Sequence, residues 1–145
     1  MIPWAESCTV TVLNPISTYE AEPQDMNDRS VVLHVRYKDT AVLLTGDAGE
    51  VAEKRMLDTF PRYMLQANVL KLGHHGSSTS TGYSFFLAVD PDFAVASCEK
   101  DNEFGHPHTE TMSLLYDTHT AFYRTDLDGT VTFLLDGENV SVHLP

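Results

Sequence analysis

Basic residues are scarce: 9 lysines and arginines stand against 21 acidic residues, giving a formal charge of −12 over 145 residues. Such a surface repels phosphate backbones unless a metal ion or a local basic patch intervenes, which excludes a simple electrostatic nucleic-acid-binding module. Cysteine is nearly absent. Cys8 and Cys98 lie far apart without C-x-x-C spacing, so a disulfide framework and a cysteine-built structural zinc site are excluded, and both read as buried free thiols in apolar runs. Long hydrophobic runs are missing too, none approaching the ~18 residues of a membrane span. Residues 1–6 hold no basic segment leading into an apolar stretch. The expectation is a soluble polypeptide with no signal peptide and no direct membrane insertion, its compartment unassigned. G-x-S-x-G, P-loop, dinucleotide-fingerprint and H-E-x-x-H motifs are absent, which removes the usual support for a serine hydrolase, a P-loop nucleotidase or a zincin.

What is present is an ordinary globular composition, 42% hydrophobic and 21% charged, in a length suited to one domain. Alternating β-branched residues predict strands at 9–13 and 31–37, and a tight turn at Lys38-Asp39 leads to an apolar strand at 41–44. The first strand begins almost at residue 7, with no lead-in. Residues 14–29 form a long polar connection of the kind that often makes a functional lip. Val51, Ala52, Met56, Leu57 and Phe60 recur at helical spacing. Further on, strands are expected at 69–72, 93–98, 121–124, 130–135 and 140–144, with helices at 83–89 and 109–118 and a turn at 126–129. Strands and helices in this alternation imply a layered α/β domain with its polar residues gathered at strand ends.

Three places carry chemistry. Asp47, at a strand-to-helix junction with Glu50 three residues on, reads equally as the N-cap of a capping box or as a catalytic or metal-binding carboxylate. His74 and His75 close an apolar strand between Gly73 and Gly76, glycines that permit sharp turning and close approach of a substrate. Adjacent residues on a strand face opposite ways, so one of the pair meets a given metal and the other orients substrate or supports the ligand shell. In His106-Pro107-His108 the first histidine is the stronger candidate, and His108 reads as a solvated residue before a helix. Ser77, in a serine-rich loop, fits a hydroxyl bonding its own backbone better than a nucleophile.

The ordered set Asn27-Asp28-Arg29-Ser30, Leu43-Leu44-Thr45-Gly46-Asp47-Ala48, Leu70-Lys71-Leu72-Gly73-His74-His75-Gly76-Ser77 and Asn102 through Gly105-His106-Pro107-His108 resembles the metallo-β-lactamase-fold domain of ComEC-type competence proteins and their stand-alone relatives. The resemblance runs from about Thr9 to Gly137. It implies a phosphodiesterase or nuclease working in DNA uptake through two divalent ions, Zn or Mn, held between two β-sheets. Asp47 and His74 would then be metal ligands, His75 and His106 catalytic, and Lys71, Ser77 and Asn102 in contact with substrate. The H-x-H-x-D-H element of that fold has no counterpart here, so the resemblance covers only the C-terminal half of an αββα sandwich, a mixed sheet with flanking helices. Two readings stay open: part of a metal-dependent hydrolase of nucleic acid or another phosphodiester, completed by a missing N-terminal half or another chain, or a non-catalytic binding or interaction module.

Overall fold

The apolar and β-branched runs become nine strands among the described residues, 2–16 and 25–145 of a computed structural model. Strands β1 (Ile2–Ala5), β2 (Cys8–Asn14), β3 (Val32–Tyr37) and β4 (Thr40–Leu44) pair antiparallel in chain order. Strands β5 (Val69–Lys71), β6 (Phe93–Ala96) and β7 (Ala121–Arg124) then extend the same sheet in parallel, giving seven strands in the order β1 to β7. Each parallel step needs a crossover, and helices α1 (Glu50–Thr59), α2 (Tyr83–Val89) and α3 (Thr109–Asp117) supply them. Right-handed crossovers that advance in one direction across a sheet put all their helices on one face. The core agrees, joining Ala52 and Met56 of α1, Phe85, Phe86 and Val89 of α2 and Leu115 of α3 to Leu43, Leu70 and Ala94, which stand opposite one another on β4, β5 and β6.

Two expectations are corrected. An edge strand, β1, precedes the first strand read from the sequence, pairing Ile2 with Val10; Pro3 obscures it, because proline is tolerated at a sheet edge but weakens the strand signal. A short helix, α4 (Thr125–Asp128), stands where a turn was expected, with the Asp128 carboxylate accepting from the Arg124 N–H at 2.7 Å. Both thiols are free, as expected, but half-buried rather than buried. The long polar connection falls partly outside the described residues, at 17–24. Its two ends are pinned by the buried Asn14 amide, which donates to Asp28 O at 2.9 Å and Ser30 O at 2.7 Å.

Side chains alternate along a strand, so the sheet has a second face. Val12, Leu33, Leu44, Lys71, Val95 and Tyr123 lie in one row across it, and Val10, Val35, Val42, Val69 and Phe93 in the next. A separate two-stranded ribbon, β8 (Thr132–Leu135) and β9 (Val140–His143), covers one end of this face, where Phe133 packs 6.0 Å from Phe93 and 5.9 Å from Tyr123 between ring centres. Toward β2 and β4 the face is open: Val12 is 45% and Leu44 39% exposed. The fold is mixed α/β, with one apolar sheet face under helices and the other only partly covered.

Candidate functional site

Strands β4, β5 and β6 are parallel, so their C-terminal ends open onto one edge of the sheet, where α/β proteins build sites. Three loops leave that edge. The first carries Asp47. It does not cap α1, because Gly49 occupies the N-cap position and makes no side-chain bond. The capping-box reading fails because the helix begins at Glu50, and its first N–H groups find partners from elsewhere in the chain. Glu50 donates to Thr79 O at 3.1 Å and Ala52 to the buried Asp28 carboxylate at 3.2 Å. The Asp47 carboxylate is left without a hydrogen bond among the described residues, 41% exposed, with its Oδ1 3.7 Å from His75 Nε2.

His74 and His75 lie just past the end of β5, not on it. Both are left-handed, at φ 45°, ψ 49° and φ 59°, ψ 19°, so the expectation of opposite strand faces does not apply. Two consecutive non-glycine residues in this region are strained, and such strain concentrates at functional sites. The turn is held by His74 N–H donating to Gly46 O at 3.0 Å and Ser77 N–H donating to His74 O at 2.9 Å. The His75 ring bonds Ser97 O through Nδ1 at 2.6 Å. A carbonyl only accepts, so Nδ1 carries a proton and Nε2 is the ring nitrogen turned toward Asp47.

The third loop brings His106 to the same place, its ring centre 5.4 Å from His74 and 6.2 Å from His75. Burial lowers the His106 pKa, and neighbouring charge on His108, His74 and His75 lowers it further against the opposing pull of Asp47, so the ring is neutral near pH 7 and free to donate a lone pair. A neutral His106 imidazole beside an unpaired carboxylate is a donor of the type that holds divalent transition metals. Among the described residues, however, no three His, Cys, Asp or Glu groups are gathered closely enough to hold one ion unaided.

The other sequence candidates support this cluster from behind. Lys71 donates to Leu72 O at 2.9 Å and reaches Gly46 O at 3.4 Å; burial lowers its pKa while Asp47 raises it. Ser77 is buried, and its hydroxyl pairs with Thr79 Oγ1 at 3.0 Å, the self-bonding loop expected. Asn102 spends its amide on the loop itself, accepting from His106 N–H at 2.9 Å and donating to His106 O at 2.8 Å and Glu99 O at 2.9 Å. It fixes where the His106 backbone sits. His108 is less solvated than expected: its Nδ1 accepts from Ser78 N–H at 3.0 Å and its Nε2 donates to Phe104 O at 3.0 Å, tying two site loops together.

Sequence reading missed Glu53, whose buried carboxylate accepts from Thr81 N–H and from Gly82 N–H at 2.8 Å and so locks the serine-rich loop onto α1. It also missed Asp126, which receives a two-armed contact from Arg124 at 3.0 and 2.6 Å and the Cys98 thiol at 3.2 Å. Nothing local marks Glu53, whereas Asp126 follows a parallel strand and had that positional signal.

No family model matches the chain. Curated proteins do. Over 118 residues, 81% of this chain, it is 35% identical to ComE operon protein 3 of Bacillus subtilis. The chain has homologues among competence-related proteins. It is also 37% identical over 109 residues, 75% of the chain, to Competence protein ComA of Neisseria gonorrhoeae, and 36% over 105 residues, 72% of the chain, to Recombination protein 2 of Haemophilus influenzae. The aligned part is 15%, 16% and 13% of those competence-related proteins, so the chain corresponds to a small segment of each. No helix among the described residues is long and apolar enough to cross a membrane.

Proposed function

We propose that this chain supplies part of a divalent-metal-dependent phosphodiesterase site acting on DNA in competence-related uptake, and that it is the C-terminal half of a metallo-β-lactamase-like αββα sandwich. The observation that carries the reading is the convergence of Asp47, free of any helix-capping duty, with His74, His75 and His106 at the C-terminal ends of the parallel strands of one mixed sheet. The donor set fits Zn or Mn in kind and falls short in number. The open apolar row at Val12 and Leu44 fits a fold whose second sheet, bringing the remaining ligands, comes from another part of a longer polypeptide or from another chain.

Asp47 and His74 would hold the ion, and the bound ion would supply positive charge against the phosphate and acidify an attacking water. His75 works from a fixed tautomer: its Nδ1–H is committed to Ser97 O, so Nε2 is the atom able to accept a proton or a ligand. His106, neutral at pH 7, receives or returns a proton on the other side of the cluster. Lys71, half-buried, reaches Gly46 O and so helps set the position of Gly46, hence of Asp47, from which a substrate phosphate would be within its range. Ser77 and Asn102 position the two histidine loops.

Calorimetric titration of the purified chain with Zn²⁺ and Mn²⁺ tests the site. Weak binding, short of micromolar affinity (about −8 kcal/mol), that both Asp47→Ala and His74→Ala abolish is the expected result. Binding indifferent to both substitutions would refute it. A second reading, a binding or interaction module without catalysis, is favoured by the incomplete donor set. The two agree that the isolated chain does not cleave DNA; they separate once a fragment supplying the other sheet is added, when only the hydrolase reading gives metal-dependent cleavage.

A further inference from the structure

Phe104 is out of place for a core residue. Its side chain is 74% exposed, yet the loop beneath it is tightly held: His108 Nε2 donates to Phe104 O, and Gly105 N–H donates to Asn102 O at 3.2 Å. One face of the ring lies against His106, 5.7 Å between centres and inclined by 20°, and the opposite face is open. A cavity of about 340 Å³ adjoins it, lined by His75, Ser97, Cys98, Glu99, Asn102 and Phe104 along with His106. The cavity thus touches two of the site histidines, and Asp47 is not part of its lining.

Resting on the phosphodiesterase reading above, we propose that Phe104 and this cavity form a nucleobase subsite, in which a base of a single-stranded DNA substrate stacks on the open face of Phe104. The chemistry of the lining selects a base over a phosphate. No lysine or arginine lines the cavity, and Glu99 repels an anion but accepts a hydrogen bond from a base N–H, such as thymine N3–H. The Asn102 side-chain donors are already engaged within the loop, so that amide is not free for an anion. A flat, weakly polar group that stacks on an aromatic ring is what remains, and base–aromatic stacking tolerates any sequence. The ring that receives the base also touches His106, so stacking places the neighbouring phosphodiester beside the histidine cluster.

The test compares two fluorescently labelled oligomers of equal length, oligothymidylate and its abasic counterpart, binding to the full chain in Mn²⁺ by anisotropy. The proposal expects oligothymidylate to bind roughly ten-fold more tightly, Phe104→Ala to erase that difference, and Phe104→Trp to retain it. Because the side chain is exposed, the fold survives the alanine. Equal binding of the two oligomers, or a base preference that persists in Phe104→Ala, overturns the subsite and leaves the phosphodiesterase reading standing. An equal fall for both oligomers in Phe104→Ala also overturns it, showing that the ring merely supports His106. Failure of the wild-type chain to bind either oligomer also overturns the subsite, while the phosphodiesterase reading is decided separately by cleavage once the other sheet is supplied.

Discussion

The left-handed conformation of His74 can be isolated by comparing two substitutions at one position. At φ 45°, ψ 49° an L-residue pays about 1–2 kcal/mol for the approach of its Cβ to the backbone. Replacing His74 by alanine removes the imidazole and keeps the Cβ, whereas glycine removes both. Loss of ring contacts with His75 and His106 is common to the two variants and cancels. Glycine also gives the unfolded chain more freedom, which offsets roughly 0.5–1 kcal/mol of the relief. His74→Gly is therefore expected to be more stable than His74→Ala by about 1 kcal/mol, a gap of about 3 °C in Tm for a chain of this size. Urea denaturation followed by far-UV circular dichroism reads it directly, while metal titration should find both variants equally deficient. An alanine variant as stable as the glycine one would show that position 74 carries no strain, and the argument that a functional demand holds this turn would fall.

Burial raises the Glu53 pKa to about 7, aided by Glu50 and Asp28 and opposed by its bonds from Gly82 and Thr81. The folded chain therefore keeps a proton that the unfolded chain releases near pH 4.5, so this group's contribution is complete below pH 4.5 and is lost as pH rises through 7. The loss amounts to about 3 kcal/mol. Glu53→Gln should flatten that slope in urea titrations at pH 5 and 7.5, and an unchanged slope assigns the dependence elsewhere. At Gly76, where φ is +86°, a Cβ would stand 2.6 Å from Pro107 Cβ, so Gly76→Ala should destabilise by at least about 2 kcal/mol; a thermal midpoint within a degree of wild type would contradict the packing. Asn102→Ala removes the two bonds that fix the His106 backbone and a third to Glu99 O, and faster hydrogen exchange at the His106 amide is expected, with unchanged protection meaning that the loop is held by other contacts.

The strands and helices that build the sheet were readable because their signals are local: β-branched alternation in β2 and β3, apolar runs in β4 and β5, helical spacing in α1. Asp47, His74, His75 and His106 were readable as polar residues at the ends of such runs, and the sheet brings all four to one edge. What failed was every inference that needed a partner distant in sequence. The four-residue pattern from Asp47 to Glu50 matched a capping box, but Asp28 does part of that work from 24 positions before its acceptor contact at Ala52. His74 and His75 were assigned to opposite faces because nothing local shows that Gly46 O captures the His74 N–H and turns the chain left-handed. Glu53 looks like any helix-surface glutamate until the loop at Thr81 and Gly82 folds over it.

The uncovered row from Val12 through Leu33 to Leu44 has a genetic consequence. These side chains lie on the face opposite the one the helices cover, and Leu44 ends the strand that leads to Asp47. A charged residue at Val12 or Leu44 should therefore leave the isolated chain folded and its metal affinity intact, and do harm only where another surface has to cover that row. Such alleles would behave as assembly mutants, with a phenotype that a complementing partner surface of opposite charge restores.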